Sequence, residues 1–207
     1  MPSMVSRILL QLRTEIGKLK TKKDHLLIAI DGRCGSGKST LGAYLQQKMQ
    51  GNLLHMDDFY LRPEQRTPAR REEPGGNVDR ERFLEEVLLP LHKGTKFTYR
   101  PFNCRKWELD QPVEVEAREI NIVEGSYSCH PELYDYYDLH VFLTVDPKEQ
   151  MYRIQNRLGK MTCAETFRTK WIPMEENYFS KMQVRERCEL CFDTTHAERV
   201  DGQQEER

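Results

Sequence analysis

Leu26-Leu27-Ile28-Ala29-Ile30-Asp31-Gly32-Arg33-Cys34-Gly35-Ser36-Gly37-Lys38-Ser39-Thr40 is the stretch on which the reading of this chain turns. An apolar run leads into G-x-x-x-x-G-K-[ST], so a strand, a tight loop and a helix N-terminus are expected in succession. Backbone N–H groups then converge where phosphate oxygens can be held. Gly32, Gly35 and Gly37 permit torsions and close approach that side chains would obstruct. Lys38 can reach β- and γ-phosphates, and the Ser39 hydroxyl can ligate Mg²⁺. Ser36 and Thr40 complete the expected phosphate-binding stretch. The opposing reading is a glycine turn with a solvated lysine, but strand, loop, Lys and Ser occurring in register favour a nucleoside triphosphate.

The rest of the chain fits that frame. At 207 residues it suffices for one well-buried domain, and its formal net charge of -1 lacks the basic footprint of nucleic-acid binding. No apolar stretch approaches a membrane span and no leader pattern opens the chain, so a cytoplasmic protein is expected. Six cysteines scattered along the sequence read as reduced thiols. Cys188 and Cys191 form a lone C-x-x-C in a strand-like segment with no second Cys/His pair at zinc spacing. Thiols packed in a core are expected there, and no zinc.

Val5, Ile8, Leu9, Leu12, Ile16 and Leu19 fall at helical spacing, with basic residues between them. This amphipathic helix can dock on a membrane or partner, or pack on its own domain. A helix over 38–50, a strand over 52–56, a proline- and arginine-rich loop over 61–78 and a helix over 80–92 follow. Short β-type patterns at 96–102 and 112–117 predict a hairpin. Further strands are expected at 119–123, 139–145 and 188–192, with Asp146-Pro147 opening a helix that carries Met151, Ile154 and Leu158. Alternation of strands and helices predicts an α/β fold of three layers, a central parallel sheet flanked by helices, plus a small β-hairpin and a lid. The organisation expected is an N-terminal helix and linker over 1–25, a phosphate-binding domain over 26–194, and a polar tail over 195–207.

Ligands of parallel sheets bind beyond the carboxyl ends of the strands. Asp57 and Glu124 each end a predicted strand, so one carboxylate can coordinate Mg²⁺ while the other accepts a proton from an attacking hydroxyl. Helix-capping or turn roles are the alternatives, and Asp58 competes with Asp57.

The segments IAIDGRCGSGKST (28–40), HMDDFY (55–60), GGNVDRERF (75–83), NIVEGSYS (121–128) and YYDLHVFLTVD (136–146), in this order and spacing, resemble the uridine kinase-like branch of the P-loop nucleoside kinases. That branch is itself similar to pantothenate kinase and phosphoribulokinase. The resemblance spans most of residues 26–193 and implies a P-loop NTPase fold, ATP as donor, Mg²⁺, and transfer to the 5′-hydroxyl of uridine or a related nucleoside. It implies that Asp57 activates that hydroxyl, that Glu124 lies near Mg²⁺, and that Asp79 accepts hydrogen bonds from the ribose. As a plain residue, Asp79 can equally cap the helix beginning at Arg80. Tyr60 belongs to the same acceptor-side element.

Arg153 and Arg157, one helical turn apart, stand near where related kinases present arginines to the phosphoryl group. A solvated helix face is the ordinary alternative. The R-G-R-like lid element of typical uridine kinases is absent. Around the base, Phe102 can stack and Asn103 can hydrogen-bond an edge, or Phe102 can serve as hairpin packing. Another sugar-like or pantothenate-like alcohol is the alternative acceptor, and a nucleotide-hydrolysing switch is the remaining reading, although no N-K-x-D guanine motif occurs. A homo-oligomer is compatible with the sequence.

Overall fold

The structure, a computed structural model, describes residues 4–158 and 161–197. Five strands make the central sheet: β1 (Leu26–Gly32), β2 (Asn52–His55), β7 (Ile120–Glu124), β8 (Leu139–Thr144) and β9 (Leu190–Asp193), in the spatial order β2-β7-β1-β8-β9. Every pairing is parallel. The first strand is central and buried along its whole length, as its unbroken apolar run requires.

Alternate residues of β1 enter opposite cores. Leu26, Ile28 and Ile30 pack with Leu45 of α2 (Lys38–Met49) and with Ile8, Leu12 and Ile16 of α1 (Met4–Lys20). The amphipathic N-terminal helix therefore buries its apolar stripe on this domain's own sheet. Leu27 and Ala29 face the other layer, built on Phe59, Phe83, Leu88, Tyr178 and Phe179.

That second layer departs from simple helical patterning. Residues 61–78, expected as loop, contain a short helix, α3 (Pro68–Glu72), capped by Thr67, whose side chain accepts the N–H of Arg70. The helical run that follows, α4 (Arg80–Phe83) and α5 (Leu89–His92), is joined by a π-turn over Leu84–Leu88. Pro90 has no N–H to give the carbonyl of Glu86, and the wider turn removes the clash with its ring. The same device recurs at Phe167–Trp171, before Pro173.

Two short antiparallel pairs form the hairpin region: β3 (Phe97–Tyr99) with β6 (Val113–Val115), and β4 (Phe102–Asn103) with β5 (Glu108–Leu109). After β7 come α6 (Pro131–Tyr134), α7 (Pro147–Leu158), α8 (Met161–Thr166), α9 (Ile172–Met182) and α10 (Val184–Arg187). Asp146 caps α7, its Oδ1 accepting from the Lys148 N–H at 2.8 Å.

Cys188 is buried beside Cys129, with 3.9 Å between sulfurs. Cys191 departs from the expected core position and is exposed. It lies on the edge strand, where Leu190 and Phe192 take the covered face and alternation turns Cys191 outward. No described helix is long and apolar enough to cross a membrane. The expected tail lies, from residue 198 on, outside the described residues.

Candidate active site

The glycine-rich loop connects the end of β1 to the first residue of α2, with Gly32, Gly35 and Gly37 at φ of 132°, 75° and 93°. Gly32 is the most constrained: a Cβ there would lie 2.0 Å from the Leu143 carbonyl oxygen on β8. Lys38 folds back over the loop, its Nζ donating to the carbonyls of Gly32 at 2.7 Å and Arg33 at 3.1 Å. These contacts aim a nearly buried cation at the space above the loop. Ser36 is buried and its Oγ has no partner, while Thr40 is exposed in the first turn of α2.

Ser39 Oγ donates to Glu124 Oε2 at 3.1 Å, joining the helix start to the end of β7. The other Glu124 oxygen accepts from His55 Nδ1 at 2.6 Å. That bond, opposed in part by burial, raises the His55 pKa. Asp57 lies one turn beyond β2, in a 3₁₀ segment over Met56–Phe59. Protein surrounds its carboxylate on most sides, although it still meets solvent at the cleft mouth. Burial raises its pKa, with Glu124 adding to the rise, while Lys38 and a 3.0 Å hydrogen bond from Tyr60 Oη oppose it.

A cavity of about 140 Å³ is lined by Lys38, Ser39, Asp57, Tyr60 and Glu124 together. Asp58 instead accepts from Tyr99 Oη at 3.0 Å and does not line it. Arg157 reaches the lining and stands over the Phe167 ring, whereas Arg153 turns to the back of the loop. Arg153 pairs with Glu149 at 2.7 Å and donates to the carbonyls of Gly35 at 3.3 Å and Thr194 at 2.7 Å.

Asp79, Phe102 and Asn103 are not brought to this lining. Asp79 caps α4 by accepting the Arg82 N–H at 3.2 Å, and it also holds Gln65 at 2.8 Å. Phe102 is buried in the hairpin region with Arg66 above it. Asn103 closes its own turn, donating to Asp110 and accepting from the amides of Arg105 and Lys106.

The sequence reading missed Glu175 and Ser126. Glu175 Oε2 accepts the Cys34 N–H of the loop at 2.9 Å, and its Oε1 accepts from Ser126 Oγ at 2.6 Å. Ser126 follows Glu124-Gly125, which was a local signal. Glu175 lies 141 residues from Cys34 and had none.

A parallel sheet whose first strand feeds a glycine cradle, a buried lysine and a helix-borne serine, with carboxylates at neighbouring strand ends, defines the fold of the P-loop kinases. The match to the AAA domain model AAA_18 covers residues 28–169, and the chain belongs to that family. Among solved structures it is similar to a possible uridine kinase from Bacillus stearothermophilus, at 21% identity and TM-score 0.62, over 88% of this chain and 100% of that one. A candidate fructose transport system kinase from Silicibacter sp. TM1040 matches at 21% identity and TM-score 0.66, covering 86% and 97%. D-glycerate 3-kinase from Cryptococcus neoformans matches at 17% identity and TM-score 0.61, covering 85% and 88%. No curated protein matches by sequence.

Proposed function

We propose that this protein is an ATP- and Mg²⁺-dependent kinase that phosphorylates a hydroxyl of a small molecule. One observation carries the reading: Lys38, Ser39, Asp57 and Glu124 open onto a single cavity above the glycine loop. Phosphoryl transfer needs this proximity, because catalysis there is mainly positioning and electrostatic stabilisation.

In this reading the loop amides and Lys38 hold the donor phosphates, and Asp57 orients the acceptor hydroxyl and takes its proton. Its pKa, raised by burial, makes it a better base than an exposed aspartate. Arg157 offers positive charge from the lid side. Ser39, Glu124 and Asp57 supply a hydroxyl and two carboxylates, a hard-oxygen set suited to Mg²⁺, which keeps several waters and is otherwise held by substrate phosphates. Bound there, Mg²⁺ would neutralise charge on the phosphoryl oxygens.

For the acceptor, our reading is the 5′-hydroxyl of uridine or a related nucleoside, supported by the motif resemblance and by likeness to the possible uridine kinase. A second reading, another small alcohol such as a sugar or hydroxy acid, is favoured by the engagement of Phe102 and Asn103 within the hairpin. The deciding experiment is a phosphorylation screen with ATP and Mg²⁺ over nucleosides, sugars and hydroxy acids. Nucleoside-dependent ADP release supports the first reading, and a profile confined to other alcohols supports the second. Phosphate reaching only water with every acceptor would defeat both.

A further inference from the structure

Helix α9 is fastened to the start of the glycine loop by three side chains. Tyr178 Oη donates to the buried Asp31 Oδ2 at 2.9 Å. Glu176 receives Nε and an Nη of Arg33 at 2.6 and 2.9 Å. Glu175, only 5% exposed, receives the Cys34 N–H at 2.9 Å. Both Glu175 oxygens are bound by neutral donors, the loop amide and the Ser126 hydroxyl. Ser126 Oγ in turn lies 3.4 Å from Lys38 Nζ.

This is how a phosphate oxygen would be held. An amide of a phosphate loop and a hydroxyl beside the loop lysine converge on a negatively charged oxygen pair. Glu175 also lines the cavity shared by Lys38, Ser39, Asp57 and Glu124. A terminal phosphoryl group between Lys38 and Asp57 competes with the carboxylate for the same donors, and two like charges cannot share one amide.

We propose that the Cys34 amide and the Ser126 hydroxyl form the terminal-phosphate pocket, and that Glu175 occupies it until a nucleoside triphosphate displaces it. The proposal rests on the donor-site reading given above. Glu175 leaves the two donors by turning its own side chain, because Tyr178 and Phe179 keep α9 in the core. A diphosphate lacks the competing group and leaves Glu175 in place.

The test is titration calorimetry on the full chain with Mg²⁺, using ADP and a non-hydrolysable ATP analogue. Glu175→Ala should tighten binding of the analogue by about tenfold and change ADP affinity less than about twofold. Glu175→Gln, which keeps the side chain's length and removes its charge, should raise the same analogue-to-ADP affinity ratio by a smaller factor. Equal changes for both nucleotides, or weaker analogue binding, would overturn the proposal while leaving the donor site intact. Should Glu175→Ala not fold, the Glu175→Gln ratio decides alone. Wild-type protein binding neither nucleotide would sink the donor-site reading itself, and the pocket with it.

Discussion

The phenol of Tyr60 donates to Asp57 Oδ1 at 3.0 Å, so the carboxylate that lines the cleft is oriented by a residue three positions along the same chain segment. This bond stabilises the ionised form of Asp57 against the burial that raises its pKa. Tyr60→Phe removes it, and the Asp57 pKa rises further. The acid limb of the kcat–pH profile should move to higher pH, and kcat measured on that limb should fall by about three- to tenfold. Nucleotide affinity should be unchanged. An unshifted acid limb would separate Tyr60 from the ionisation of Asp57.

Acid sensitivity should be traceable to His130. Burial first, then Arg80, lowers its pKa to about 4, against about 6.5 for an ordinary histidine. Its contribution to stability is therefore fully present above pH 6.5 and is lost as pH falls through 4, on the order of 2–3 kcal/mol. Asp31 works in the opposite sense: burial raises its pKa to about 6, so it adds stability as pH falls from 6 towards 4. The difference between wild type and His130→Asn isolates the histidine. Asn can still accept the Glu132 N–H that His130 accepts at 3.3 Å. Urea unfolding from pH 7 to pH 4 should show a shallower loss for the variant, and parallel curves would refute the assignment.

The N-terminal helix should behave as part of the core. Leu12 is fully buried against the sheet residues Ile28 and Ile30. Leu12→Ala should destabilise the protein by about 2–5 kcal/mol, read as a lower urea midpoint at unchanged slope. A midpoint within error of wild type would mean that α1 packs too loosely to stabilise the sheet.

The parts of this fold that the sequence made legible are those written locally. Strand, loop, Lys38 and Ser39 are contiguous, and Asp57 and Glu124 sit at the ends of apolar runs, so their convergence follows from parallel-sheet geometry. What was not legible depends on distant pairing. Asp57 and Asp58 are adjacent in sequence, and only the hairpin's Tyr99 separates their roles. Arg153 and Arg157 share a helix face, yet the carbonyls of Gly35 and Thr194 turn one guanidinium away from the cavity. Glu175 belongs to no local motif, and only the tertiary docking of α9 brings it to the loop.

The central claim is that Asp57 and the glycine cradle act on one substrate pair, and Asp57→Asn tests it most directly. With the acceptor identified by the screen, the variant should transfer phosphate at least about a hundredfold more slowly. Measured without Mg²⁺, its affinity for ATP should remain within about threefold of wild type, because Lys38 and the loop amides are untouched. Turnover at the wild-type rate would contradict the account and remove Asp57 from the chemistry.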